Sequence, residues 1–364
     1  MLKNRLQLLN VVIGLLRYSH LWLYCIPIVA AVNAEESVKE DKKSRLVKPG
    51  KSDNVSASLL AGGKVALENE YLKFVFDPED AGAASSILFK PAKRELAVCL
   101  TYGQRHFKAF RESLSVQRMK EGRIGPSGQP YELMRLYVKD ETALATFTGH
   151  PFVPPKNSTG QKASMGKVRI VKTYSLRSGS TELEVEIRAV NESNERLPLA
   201  LWILSGHRVE GENIDCFARS IRGTVTRPDS WVKGASSFLV VPRPAAPWTG
   251  AVGAGPEKTG MFIVADEGKV DLIYNWLAKF VGYTFGLGTP QQQLDPGGAL
   301  SLRYSFFATV GLPRIDAAAG KMACGIELPS SIQPGREFSA TITSVSASSQ
   351  EITSSMRMRK LPDG

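Results

Sequence analysis

The chain has 364 residues, 43% hydrophobic and 22% charged, with 32 glycines and 21 prolines. That balance excludes wholesale disorder and leaves room for one large β domain or two ordinary ones. The formal net charge is +11, but the densest basic stretches, 39–51 and 105–123, also carry acids, and no basic stripe with interleaved aromatics marks a nucleic-acid partner.

Lys3 and Arg5 open the chain as a basic region, followed by an apolar run broken at Arg17 and a cleaner one from Leu21 to Val32. Val32-Asn33-Ala34 fits a small-x-small cleavage site. Residues 1–34 are read as a signal peptide and the protein as exported, to the periplasm or the outside. Each apolar run is shorter than the ~20 residues a bilayer span needs, so no span is expected after cleavage; a retained leader makes a membrane anchor. Residues 35–60 are charged and poor in large apolar side chains, and are read as a flexible spacer.

Structure is expected from Lys64. Tyr71, Lys73 and Val75 point one way and Leu72, Phe74 and Phe76 the other, until Asp77-Pro78 stops the strand. Gly82 permits a bend before Ser86–Phe89. From Lys167 to Val209 lies the clearest pattern in the chain. Val168, Ile170, Tyr174 and Leu176 alternate with polar residues, and after the turn at 177–180 Leu183, Val185, Ile187 and Ala189 alternate with Glu182, Glu184, Glu186 and Arg188. Period two of this kind is a half-buried strand pair, because a 3.6-residue turn would scatter the apolar set.

Further strands are expected at 132–138, 142–148, 237–241, 260–265, 300–309 and 338–345, separated by Gly/Pro turns. Residues 270–280 suit a helical turn or an aromatic strand. The fold class is all-β, a large two-sheet antiparallel β-sandwich over residues 61–316. Residues 317–364 restart the strand pattern after a small-residue linker, either as extra strands or as a partial β module. Once the leader is removed, Cys99, Cys216 and Cys324 remain; they are read as buried free thiols, although one disulfide is open to them. No spacing implies a metal, and no cofactor is expected.

The chain resembles the galactose mutarotase-like β-supersandwich family. Asn69, Leu72, Phe74, Phe76, Pro78 and Gly82 match its opening segment. Gly166, Val168, Ile170, Tyr174, Leu176, Leu183, Val185 and Asn191 match its strand pair, and Leu294, Pro296 and Gly297 its late turn. The likeness spans Lys64 to Leu312. It implies a supersandwich fold and a sugar ligand. In enzymes of the family a histidine protonates the ring oxygen while a glutamate takes the anomeric proton, two groups of different pKa sharing one reaction.

The histidine role falls to His207, which comes later than the family's position and is followed by Arg208 rather than an aromatic residue. No base is found. From Leu272 to Leu294 there is no acidic residue, and Gly286, Leu287 and Gly288 stand where the glutamate belongs; Asp266, Glu267 and Asp271 are the nearest carboxylates in sequence. Trp202 and Trp276 are assigned to stacking on the apolar face of a sugar, as Trp231 and Trp248 could also be. Arg105 is taken as a ligand contact through its forked donors, with Arg111 beside it, and His150 joins them. The expected function is an exported carbohydrate-binding protein without epimerase activity. An epimerase-like or polysaccharide-processing enzyme with a relocated base is the second reading, and a structural protein of the cell envelope the third.

Overall fold

Strand Val168–Arg177 runs antiparallel to Glu182–Asn191, with Val168 opposite Asn191 and Leu176 opposite Leu183. The apolar set of both strands is buried and the glutamates lie on the other side. This computed structural model describes residues 46–347, apart from 99, 103–104, 116–122, 125–128, 155, 210–213, 228–236, 279–281, 330 and 332–338. The signal-peptide reading of residues 1–34 therefore lies outside the described residues, as do Cys25, Cys99 and Trp231.

The strand pair sits inside a ten-stranded sheet, where Glu182–Asn191 also pairs with the long strand Ala299–Thr309. Opposite its inner face lie two further sheets. The six-stranded one is built from 50–95 around Leu72–Asp77 and Ala83–Phe89. The seven-stranded one runs in the order Arg123–Ile124, Arg111–Ser115, Leu197–His207, Gly282–Gly288, Leu272–Ala278, Ser237–Pro242, with Gln292–Leu294 at the far end of Leu197–His207. Isolated bridges Ala84↔Ala109 and Ala97↔His207 stitch these two sheets together. One apolar core fills the space between the layers, with Phe74, Phe76, Tyr174 and Phe306 among its members. This is an all-β sandwich.

One expectation differs from the structure, and one open choice is decided. Part of the segment read as spacer is ordered: Leu46–Val47 pairs in parallel with Arg135–Leu136, and Val55–Leu59 pairs with Val65–Asn69. Val55 and Ala57 are buried at alternate positions, and that short apolar period was hidden among the surrounding charges. Of the two readings of 270–280, the aromatic strand holds, over Leu272–Ala278.

The described residues fall in one compact unit. Within it, Ala317–Ala319, Met322–Glu327 and Thr341–Ser346 form a small sheet. Ala318, Ala323 and Ala347 pack there with Phe217, Trp248, Phe262 and Phe307, which project from the outer face of the ten-stranded sheet. Trp248 is thus a core residue of this second, smaller cluster. Cys216 and Cys324 are free thiols.

The asparagines of the two family-like segments hold turns. Asn69 Nδ2 donates to Arg177 O and Ser180 O, both at 2.7 Å, while its Oδ1 accepts from the amides of Tyr71 and Leu72. Asn191 Nδ2 lies within bonding distance of the carbonyls of Glu195, Leu294 and Asp295, and its Oδ1 accepts from Ser193. Each side chain replaces backbone partners that the strand ends lack.

Candidate functional site

Strand parity sorts the seven-stranded sheet into two faces. Successive side chains of a strand alternate, and Leu197, Leu199, Leu201 and Ile203 lie in the core. Ser205 and His207 share their parity and face the same way. His207 is fully buried. Its ring stacks on Phe285 at 4.5 Å and on Phe306 at 5.2 Å, with Phe110 edge-on at 5.8 Å. Ser205 Oγ accepts from Phe110 N at 2.7 Å and lies 2.7 Å from His207 Nε2. Burial pushes the pKa of His207 down to about 3, the Leu96 carbonyl pulling weakly the other way. The ring is neutral and packed, with no carboxylate beside it. A general acid needs access to its substrate; the described neighbours of the His207 ring are Phe110, Phe285, Phe306 and Ser205.

The same inner face holds a buried ion pair that the sequence reading passed over. Lys172 occupies an inward position between Ile170 and Tyr174 and meets the Glu112 carboxylate with both side chains fully buried. Its ammonium also donates to Ala81 O at 2.8 Å and Phe110 O at 3.0 Å. Tyr174 donates to Gly82 O at 2.8 Å. Burial lowers the pKa of Lys172, with Glu112 opposing the shift. Burial first, and Glu112 second, raise Tyr131 well above the ordinary phenol range. Asp80 sits beside this pair, bound by Lys108 at 3.0 Å and Arg111 at 3.1 Å. Lys108 also reaches Asp77 at 3.2 Å. These contacts tie the Pro78–Asp80 turn to strand Arg111–Ser115.

The opposite face carries the aromatic residues. Glu112 and Leu114 point inward, so Arg111 and Ser113 point out, as do Trp202 and Leu204 by the same parity. On the next strand Tyr283, Phe285 and Leu287 are core residues, which turns Thr284, Gly286 and Gly288 outward. Ile273 and Asn275 are buried, which turns Tyr274 and Trp276 outward. The registers then align three rows across the sheet: Ser113, Trp202, Gly288 and Leu272; Arg111, Leu204, Gly286 and Tyr274; Gly206, Thr284 and Trp276.

Two glycines shape this face. A Cβ on Gly288 would lie 3.1 Å from Trp202 Cε3, and one on Gly286 would lie 3.3 Å from Trp202 Nε1. The indole therefore lies along strand Gly282–Gly288, over the two positions that lack side chains. Tyr274 packs beside it with ring centroids 6.2 Å apart. Trp202 is 6% exposed, and Tyr274 and Trp276 are half-buried. The space that a glutamate side chain at 286 or 288 would need is taken by Trp202.

Of the residues assigned to ligand binding, Trp202 and Trp276 come together on this face, with Tyr274 between them as an aromatic that the sequence reading did not assign. Its signal was its two-residue spacing from Trp276. His150 is not brought there: it is exposed at the end of strand Thr142–Gly149 in the ten-stranded sheet, with Nδ1 3.2 Å from Val168 O. Arg105 lies in the hairpin strand Arg105–Phe107, opposite Tyr102, and its side chain lies outside the described part of the structure. Asp266 and Glu267 are exposed in a turn. Asp271 directly precedes strand Leu272–Ala278, its amide donating to Gly288 O at 2.8 Å. Among the described residues no group of histidines, cysteines and carboxylates is arranged to hold a metal ion, and no helix is long and apolar enough to cross a membrane.

No family model and no curated protein matches the chain. Solved structures do. A galactose mutarotase-like protein from Clostridium acetobutylicum superposes with a TM-score of 0.50 at 10% identity, over 71% of this chain and 98% of its own. A candidate mutarotase from Salmonella typhimurium gives a TM-score of 0.50 at 11% identity, over 73% of this chain and 97% of its own. A TPR-domain containing protein from Parabacteroides distasonis gives 0.52 at 14% identity, over 76% of this chain but only 51% of its own length. At such identities the likeness is one of fold and carries no residue roles. The chain has the galactose mutarotase-like β-sandwich fold.

Proposed function

We propose that this protein is an exported carbohydrate-binding protein that uses the aromatic face of the seven-stranded sheet and does not perform mutarotase chemistry. One observation carries the reading: Trp202 lies over Gly286 and Gly288, so an aromatic side chain stands where the family resemblance implies a catalytic carboxylate. Sugar rings offer an apolar C–H face, and flat aromatic side chains on a rigid sheet suit that surface. Asp80, the carboxylate that Arg111 of this face meets, is engaged by two cations, Lys108 and Arg111. His207, the residue assigned as acid, is neutral and sealed from the face. Lys3, Arg5 and the apolar run to Val32 support export.

Glycan-array screening followed by isothermal titration tests the binding. Wild-type protein is expected to bind a sugar, and Trp276→Ala to lose it while keeping its thermal midpoint. Absence of any bound glycan refutes the reading. Polarimetric assay of glucose and galactose mutarotation is expected to return the buffer rate; acceleration above that rate would establish an enzyme with a relocated base. N-terminal sequencing of the protein from the producing cell is expected to begin at Glu35.

A further inference from the structure

We propose that Lys172 and Tyr174 latch a hinge built into the fold, and that the seam between the six-stranded and seven-stranded sheets opens along it while the ten-stranded sheet stays closed. Three residues at this seam have left-handed backbone: Ala81 at φ 57°, Gly82 at φ 62° and Phe110 at φ 60°. Glycine adopts that region freely, but a Cβ makes it unfavourable, so Ala81 and Phe110 hold it only because their surroundings fix them there. The carbonyls of all three are taken by two side chains of one strand. Lys172 donates to Ala81 O and Phe110 O, and Tyr174 donates to Gly82 O. An ammonium has three donors, and Glu112 takes the one left over.

The latch joins three sheets. Lys172 and Tyr174 belong to strand Val168–Arg177 of the ten-stranded sheet. Their acceptors stand where the other two sheets start a strand: Ala81 and Gly82 lead into Ala83–Phe89, and Phe110 leads into Arg111–Ser115. Those two sheets are joined by isolated bridges rather than by a ladder. At one of them Ala84 N donates to Ala109 O at 2.9 Å and Ala109 N to Ala84 O at 3.3 Å. A lone bridge gains nothing from flanking pairs, so the seam is where the fold opens below the energy of global unfolding. Lys108 and Arg111 reach Asp80 across the same seam, and Lys108 reaches Asp77. These pairs remain when the latch is removed, so the sheets part locally and do not separate. Phe110 couples the hinge to the buried histidine, since its amide donates to Ser205 Oγ and its ring stands edge-on to His207.

Residue-resolved hydrogen exchange across a series of low urea concentrations tests the hinge. The amides of Ala84, Ala109 and Phe110 report on the seam. Those of Met261 and Ile263, in a strand paired on both sides within the ten-stranded sheet, serve as references. In the wild-type protein the seam amides are expected to exchange together, faster than the references and with a weaker dependence on urea, the mark of an opening smaller than global unfolding. Tyr174→Phe removes one latch bond and keeps the ring. Glu112→Leu/Lys172→Met removes two and leaves no buried charge unpaired. Seam exchange is expected to rise about tenfold in the first and about a hundredfold in the second, tenfold for each bond lost, with its weak urea dependence kept. Seam amides that share the rate and urea dependence of Met261 and Ile263 overturn the proposal, and so does unchanged seam exchange in either variant. If the double variant does not fold, Tyr174→Phe decides the matter by itself.

Discussion

Replacing Glu112 by glutamine removes a charge and keeps the shape, so it isolates what the buried pair contributes. Lys172 is left with two carbonyl acceptors, Ala81 O and Phe110 O, and no anion in contact. For a contact pair about 3 Å apart at an effective dielectric near 20, Coulomb's law gives about 5 kcal/mol. The lysine has one escape, which is to lose its proton. From an ordinary pKa of 10.5 that route costs about 5 kcal/mol at pH 7, at about 1.4 kcal/mol per unit, and so caps the loss. Breaking buried pairs by removing one partner costs about 3–5 kcal/mol in general, which agrees. At about 2–3 °C per kcal/mol for a unit of this size, Glu112→Gln should melt roughly 10 °C below wild type.

The pH dependence has a definite sign. The pKa of Lys172 is lowered in the folded state, so between that value and 10.5 the folded protein binds fewer protons than the unfolded chain. The contribution of this group to stability therefore rises with pH through that window and falls as pH drops through it. In Glu112→Gln the folded value falls further, because Glu112 is what holds it up. The gap between variant and wild type should thus shrink towards about 1 kcal/mol near pH 10. Urea unfolding at pH 7 and pH 10 reads both effects. The double variant Glu112→Leu/Lys172→Met should recover to within about 1–2 kcal/mol of wild type, since an apolar pair needs no partner charge. A loss under about 1 kcal/mol at pH 7, or one independent of pH, would refute the assignment of a buried charged pair.

His207 should give the protein an acid-sensitive component. Its folded pKa of about 3 lies below its ordinary 6.5, so this stability is present above 6.5 and is lost as pH falls towards 3; His207→Phe should flatten the urea midpoint over that range. Gly288→Glu should displace the Trp202 indole, costing about 1–3 kcal/mol and shifting tryptophan emission; unchanged emission would contradict the packing seen at 3.1 Å. Asn69→Ala strands two amides and two carbonyls and should cost about 3 kcal/mol or more in chemical denaturation. His150→Ala, at an exposed position, should stay within about 0.5 kcal/mol of wild type in the same assay and leave glycan binding unchanged.

The all-β class and the antiparallel pair 168–191 were legible because alternation is a local property that needs no partner to be read. The same period carried more than was taken from it. Lys172 falls between Ile170 and Tyr174 on the inward beat, and His207 shares the parity of Leu199, Leu201 and Ile203. Both were therefore marked as interior by the sequence itself. Strand Leu197–His207 obscured this, since Trp202 and Leu204 make its other parity apolar as well. Which of two apolar faces meets the core depends on what packs against the strand.

Partners were the other missing part. Glu112 finds Lys172, and Trp202 finds Gly286 and Gly288, across long stretches of chain. Sequence alone determined that this protein is a twofold-periodic, turn-rich sandwich with glycines where a catalytic glutamate was expected. Only the tertiary structure decided that those glycines make room for a tryptophan and that His207 is closed into the core. The reason is physical: strand register over such separations is fixed by the packing of whole sheets, and no local pattern encodes it.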